Sequence, residues 1–195
     1  MSLPAKIVVI LGIVLIVLGG LFYYTSRVAE APESEVPTET PPAGGVIYES
    51  SSTGFSFAYP DTYVLVRAPE SSELLEGVTL MIKSDYEELE ASTEPREGPP
   101  SITVMVYNNA LGASPSQWVM AQPQLSNYGV ATSDVLPTLV SGMEAVRYSW
   151  SGLYQGESVA VSHQNRIYIF SASWLTPEDP QREDLETVLS SVVFK

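Results

Sequence analysis

The chain has 195 residues, with 9 Lys+Arg against 23 Asp+Glu, a formal net charge of −14, and no cysteine. That acidity argues against nucleic acid and anionic lipid as partners, because both need clustered Lys and Arg. The absence of cysteine excludes disulfides, thiolate nucleophiles and Cys-based zinc sites together.

Residues 7–24, IVVILGIVLIVLGGLFYY, carry no charge, Asn, Gln or Pro. A hydrocarbon core ~30 Å thick needs about 20 apolar residues in a helix, and this stretch gives roughly 27 Å. Tyr23 and Tyr24 match an interfacial aromatic belt, and Lys6 and Arg27 flank the span. The expectation is a single-pass anchor over 1–25, with the N-terminus cytoplasmic and the bulk outside. A cleaved signal peptide is the alternative, because Ala29-Glu30-Ala31 has the small-x-small shape of a cleavage site. An acidic residue early in the helix, as pilin-like subunits carry, is missing: no acid occurs between Met1 and Ala29.

Residues 26–45 are rich in Pro and Glu and poor in large apolar side chains. Such a stretch buries too little surface to offset its ordering entropy, so it reads as an extended, disordered tether. A single extracytoplasmic domain is expected over 46–195.

Within it, Val46–Tyr48 starts a strand. In 54–60 Phe55, Phe57 and Tyr59 alternate with Ser56 and Ala58, the period of a half-buried strand. Tyr63–Val66 and residues 77–83 follow as strands. Ser84 with Glu87 has capping-box spacing and predicts a short helix over 85–91. Residues 101–107 read as a strand with Ile102, Val104 and Val106 on one face. Ser114, Pro115 and Gln117 begin a second short helix carrying Trp118 and Met120. Pro137 places the strand at 134–140 on a sheet edge. Strands at 143–151, 158–163 and 166–174 come next. The last is apolar on both faces, which predicts a central strand covered on both sides. Thr176-Pro177 is expected to cap a final helix with the stripe Leu185, Val188, Leu189 and Val192. The sum is α+β: a largely antiparallel meander flanked by a C-terminal helix and one or two short helices.

Chemistry-bearing residues are few. His163 is the sole histidine and is read as an exposed turn residue rather than a triad base. Ser56 in Gly54–Ala58 lies inside a strand and lacks the fifth-position glycine of a nucleophile elbow. Residues 70–97 hold nine acids (Glu70, Glu73, Glu76, Asp85, Glu87, Glu88, Glu90, Glu94 and Glu97) opposed by Lys83 and Arg96. Calcium is the one metal such a segment would suit, yet the sixth position from Asp85 is Glu90, where an EF-hand has glycine. A solvated acidic edge is the plainer reading. No catalytic set, cofactor site or metal site is assigned. The strongest binding lead is aromatic: Tyr148, Trp150 and Tyr154 cluster around the 152–156 turn, and such residues are enriched in interface hot spots.

The order of GFSFAYPDTYVL (54–65), EAVRYSW (144–150), SVAVSH (158–163), RIYIFSASW (166–174) and LETVLSSVVF (185–194) resembles the PsbP-like fold over roughly 46–195. That fold is shared by extrinsic photosynthetic subunits, a nuclear-transport accessory protein and bacterial surface lipoproteins, of which the last carry an anchoring cysteine that this chain lacks. The resemblance implies an α/β/α sandwich and a binding or assembly domain rather than an enzyme, with a possible protein partner in the envelope; contact with the membrane is expected from the apolar span 7–24 itself. No functional residue is transferred by it. A secreted hydrolase using loop carboxylates, or a purely structural surface protein, stand as alternatives.

Overall fold

The computed structural model describes residues 45–69, 71–94 and 97–195. The expected anchor at 7–24 and the tether up to residue 44 lie outside them. Among the described residues no helix is long and apolar enough to cross a membrane.

In chain order the elements are β1 (Gly45–Ser50), β2 (Phe55–Pro60), β3 (Tyr63–Arg67), β4 (Leu74–Ile82), α1 (Lys83–Ala91), β5 (Ile102–Asn108), α2 (Pro115–Ala121), a 3-10 turn (Tyr128–Val130), β6 (Leu136–Val140), β7 (Met143–Ser151), β8 (Gln155–His163), β9 (Arg166–Trp174), α3 (Gln181–Ser190) and β10 (Val193–Phe194). The fold is α+β, and every strand pair is antiparallel.

The strands divide between two sheets instead of forming one meander. A seven-stranded sheet runs β3-β4-β5-β9-β8-β7-β6, and a three-stranded sheet runs β1-β2-β10. The aromatic side chains of β2 explain the split. Phe55 meets Tyr168 edge-on at 5.2 Å and Phe170 at 6.5 Å, so β2 packs its face on β9 rather than its edge on β3. The closing Val-Phe pair then completes the small sheet on the free side of β2.

As its two apolar faces require, β9 is central, and Ile167–Ala172 are all buried. On one face Tyr168, Phe170 and Trp174 join Phe55, Phe57, Leu185, Val188 and Leu189 in the main core. On the other, Ile167 and Ile169 join Trp118, Val119, Val146 and Tyr148, beneath α2 and the segment that follows it. The α3 stripe is buried as its spacing demands, and each such side chain contributes about 1.5–3 kcal/mol.

Of the three helix starts read from sequence, one forms as expected. Ser114 Oγ accepts from the Gln117 N–H (3.3 Å) and Gln117 Oε1 accepts from the Ser114 N–H (3.1 Å), a complete capping box. The Ser84 box does not form. The strand β4 runs through Ile82 and the helix starts at Lys83, so Ser84 is already helical and turns its hydroxyl to Asp85. Thr176 caps nothing either. Asp179 collects the N–H groups of Leu175 and Thr176 and the Thr176 hydroxyl into a separate turn, and α3 begins only at Gln181.

Candidate functional site

The aromatic trio separates by burial. Tyr148 is 1% exposed, its hydroxyl donates to the Ser126 carbonyl, and burial pushes its pKa up to about 12. It is a core residue of the β7 face under α2. Trp150, two residues along the same face, is half-buried; its Nε1–H donates to Ser158 Oγ at 2.9 Å, which in turn pairs with Ser171 Oγ at 2.7 Å. Its indole covers Gly156, its cross-strand partner, so closely that a Cβ there would lie 2.2 Å from the ring. Tyr154 is half-buried and donates to the Gly98 carbonyl at 2.7 Å, fastening the β7–β8 turn to the loop before β5. Leu153, 67% exposed, is what that turn presents to solvent. The three rings therefore do not share one open surface.

Glu76, grouped by its position in the sequence with a solvated acidic edge, is instead buried. It lies on β4 in the inward register of Val78 and Leu80, 5% exposed. The hydroxyls of Tyr48 and Thr53 donate to it, as do Ser50 Oγ at 2.5 Å and Ser52 Oγ at 3.2 Å, while Arg67 Nη1 stands 3.8 Å away. Burial alone would raise this carboxyl. The hydrogen bonds from Ser50, Thr53, Tyr48 and Ser52 outweigh it and hold the group below the usual glutamate range. Three hydroxyls converge on Oε2 and one on Oε1, so the ionised carboxylate serves as the shared acceptor of the β1–β2 turn. It acts as a clasp, joining the β1–β2 turn of the small sheet to β4 of the large one. The same turn is held from β9, where Tyr168 Oη (2.7 Å) and Arg166 Nη1 (3.2 Å) donate to the Thr53 carbonyl.

A second charged group lies between the large sheet and α3. Arg147 on β7 meets Glu186 of α3 (2.7 Å) and Glu157 of β8 (3.4 Å). Burial raises the Glu157 carboxyl, with Arg147 opposing and Glu186 adding to the shift. The two carboxylates flank one guanidinium instead of facing each other across an open cleft. His163 is half-buried, not an exposed turn residue: its ring lies 5.0 Å from that of Phe194, because β10 folds over the end of β8. Among the described residues, no three or more Asp, Glu and His side chains converge in a way that could hold a metal ion.

Two cavities flank β6. This strand ends the large sheet, as Pro137 predicts, and exposes Leu136 (58%) and Leu139 (68%). A cavity of about 260 Å³ lies on its α3 side, lined by Thr138, Val140, Arg147, Glu186 and Ser190. One of about 510 Å³ lies on its α2 side, lined by Pro115, Pro137, Leu139, Glu144 and Val146. Thr138 and Leu139 border both.

No protein-family profile and no curated protein matches the sequence. Solved structures do. The solution structure of cyanobacterial PsbP (CyanoP) from Synechocystis sp. PCC 6803 aligns with a TM-score of 0.52 at 14% identity, covering 78% of this chain and 94% of that one. The fold is PsbP-like. A structure from Bacteroides thetaiotaomicron VPI-5482 aligns at 10% identity and TM-score 0.45, covering 78% of this chain and 49% of that one. LpqN, a Mycobacterium tuberculosis protein involved in cell envelope biogenesis, aligns at 14% identity and TM-score 0.43, covering 77% and 90%. The resemblance expected from the strand and helix order is thus present at the level of fold.

Proposed function

We propose that this chain is a single-pass, membrane-anchored domain that faces outward and binds or assembles a protein partner in the envelope without catalysing a reaction. Residues 7–24 supply the span, the Pro/Glu-rich segment supplies reach, and the PsbP-like body supplies the surface. One observation carries the reading. Glu76 is bound by hydroxyls and Glu157 and Glu186 are paired with Arg147, whereas two cavities flank a free sheet edge. Paired charges favour structure over acid–base chemistry, and an exposed edge strand is a ready template for another chain.

The test places a photo-crosslinking amino acid at Leu139 of the full chain in native membranes, with a control at Leu153. A discrete adduct from Leu139, absent from Leu153, is expected in the membrane fraction. Monomer alone from both positions would count against a partner at this edge. Alkaline extraction should leave the protein with the membrane, and a native mass lacking residues 1–31 would replace the anchor with a cleaved signal.

A further inference from the structure

The geometry points to β6 as a docking edge for an extended peptide whose side chains alternate between apolar and basic. This rests on the binding reading above and names the partner of that same surface.

The backbone comes first. Ser141 (φ 51°) and Gly142 (φ 75°) form a two-residue turn with both centres left-handed, so Val140 and Met143 close the hairpin as a hydrogen-bonded pair. Alternation then makes Thr138 and Leu136 hydrogen-bonded to β7, and turns the backbone groups of Pro137 and Leu139 outward. Pro137 therefore costs the β6–β7 ladder nothing. The outward edge offers the Leu139 N–H and the carbonyls of Pro137 and Leu139, and the missing Pro137 donor restricts the registers in which a strand can add.

Side chains of an added strand would fall alternately on the two faces of the sheet. On the α2 side they meet the larger cavity, whose floor is Pro115 and Val146. On the α3 side they meet the smaller one, where Glu186 stands at the wall. Glu144 borders the larger cavity. Arg147 is bound by Glu157 and Glu186, and Arg182 also acts on Glu157, whereas Glu144 enters no ion pair among the described residues. A Lys or Arg side chain of an added strand is the complement that Glu144 lacks.

Charge also selects among occupants. A second copy would bring its own Glu144 and Glu186 to the same edge, and a net charge of −14 on each chain opposes that approach. Anionic lipid and nucleic acid are repelled for the same reason. A basic extended segment of another protein is attracted.

The test titrates isotope-labelled full-length protein, in detergent micelles, with a blocked seven-residue peptide alternating Val and Lys, and with its Val/Glu counterpart. The Val/Lys peptide should shift the amide signals of Leu136–Val140 and slow exchange of the Leu139 amide at least about tenfold at saturation. The Val/Glu peptide should do neither. Leu139→Pro, which removes the outward donor but no β6–β7 bond, should weaken binding about tenfold. Glu144→Gln should weaken it several-fold with unchanged melting temperature, so the proposal does not depend on the proline variant folding. Absent shifts at millimolar peptide, equal binding of both peptides, or shifts mapping away from β6 would overturn it. So would a concentration-dependent dimer with perturbed β6 signals in the absence of peptide. A Leu139 adduct in native membranes together with failure of the peptide would leave the binding function standing and remove this partner class alone.

Discussion

At the scale of single residues, two carboxyls, one buried and one half-buried, make stability depend on pH in opposite senses. Glu76 has its folded pKa depressed by hydroxyl hydrogen bonds, so its contribution is present above the ordinary glutamate value of about 4.5 and is lost as pH falls through the lower folded value. Glu157 has its folded pKa raised by burial, so its contribution is full below about 4.5 and is lost as pH rises through the higher folded value. Urea unfolding between pH 3 and pH 7 separates them. Glu76→Gln should flatten the acid loss of stability, and Glu157→Gln should flatten the opposing decline toward neutral pH. Glu76→Ala should cost about 3 kcal/mol at pH 7, because it strands the hydroxyls of Tyr48, Ser50 and Thr53 in the interior. A loss under 1 kcal/mol would show that those hydroxyls find other partners.

At the scale of elements, the facing pair Trp150 and Gly156 locks β7 to β8. Gly156→Ala drives a methyl group into the indole and should cost about 2 kcal/mol. In a Trp150→Ala background the ring is gone and the same change should cost under 1 kcal/mol. Thermal or chemical denaturation of the four proteins gives the coupling, and additive losses would contradict the close approach. These elements also show what sequence makes legible. Period-two alternation located β2, β5, β7 and β9, and the i, i+3, i+4, i+7 stripe located α3, because burial of one face is written directly into spacing. Glu76 reads as a solvated acid in sequence because the strand expected from 77 begins three residues earlier, at Leu74, which puts Glu76 in line with Val78 and Leu80. Caps were legible only where the chain enters the helix from a loop. Ser114 does so, while Ser84 follows a strand directly. The cavities flanking β6 depend on which helix lies over which strand, and only Pro137 hinted at that edge.

At the scale of the whole molecule, the division into two sheets was invisible because strand partners are chosen by face packing over long sequence separations. β10 depends on this most. It lies more than 130 residues from its partner β2, where Val193 faces Ser56 and Phe194 faces Phe55. The junction is reinforced by the Lys195 N–H donating to the Gly54 carbonyl at 2.8 Å, and by Gln164 Nε2 donating to the Lys195 carbonyl at 3.0 Å. The Phe194 ring sits 5.0 Å from those of both His163 and Tyr168. A chain shortened to end at Val192 should fold, since the large sheet and the α3 stripe are complete without the last three residues. It should lose about 2–4 kcal/mol, from the lost aromatic packing and the unpaired side of β2. Closure over so long a separation belongs late in folding, after the large sheet has formed. The loss should therefore appear mainly as faster unfolding in stopped-flow kinetics, with refolding changed less than about twofold. A comparable slowing of refolding would instead place the small sheet in the folding nucleus, and the clasp at Glu76 would then be an early contact rather than a late one.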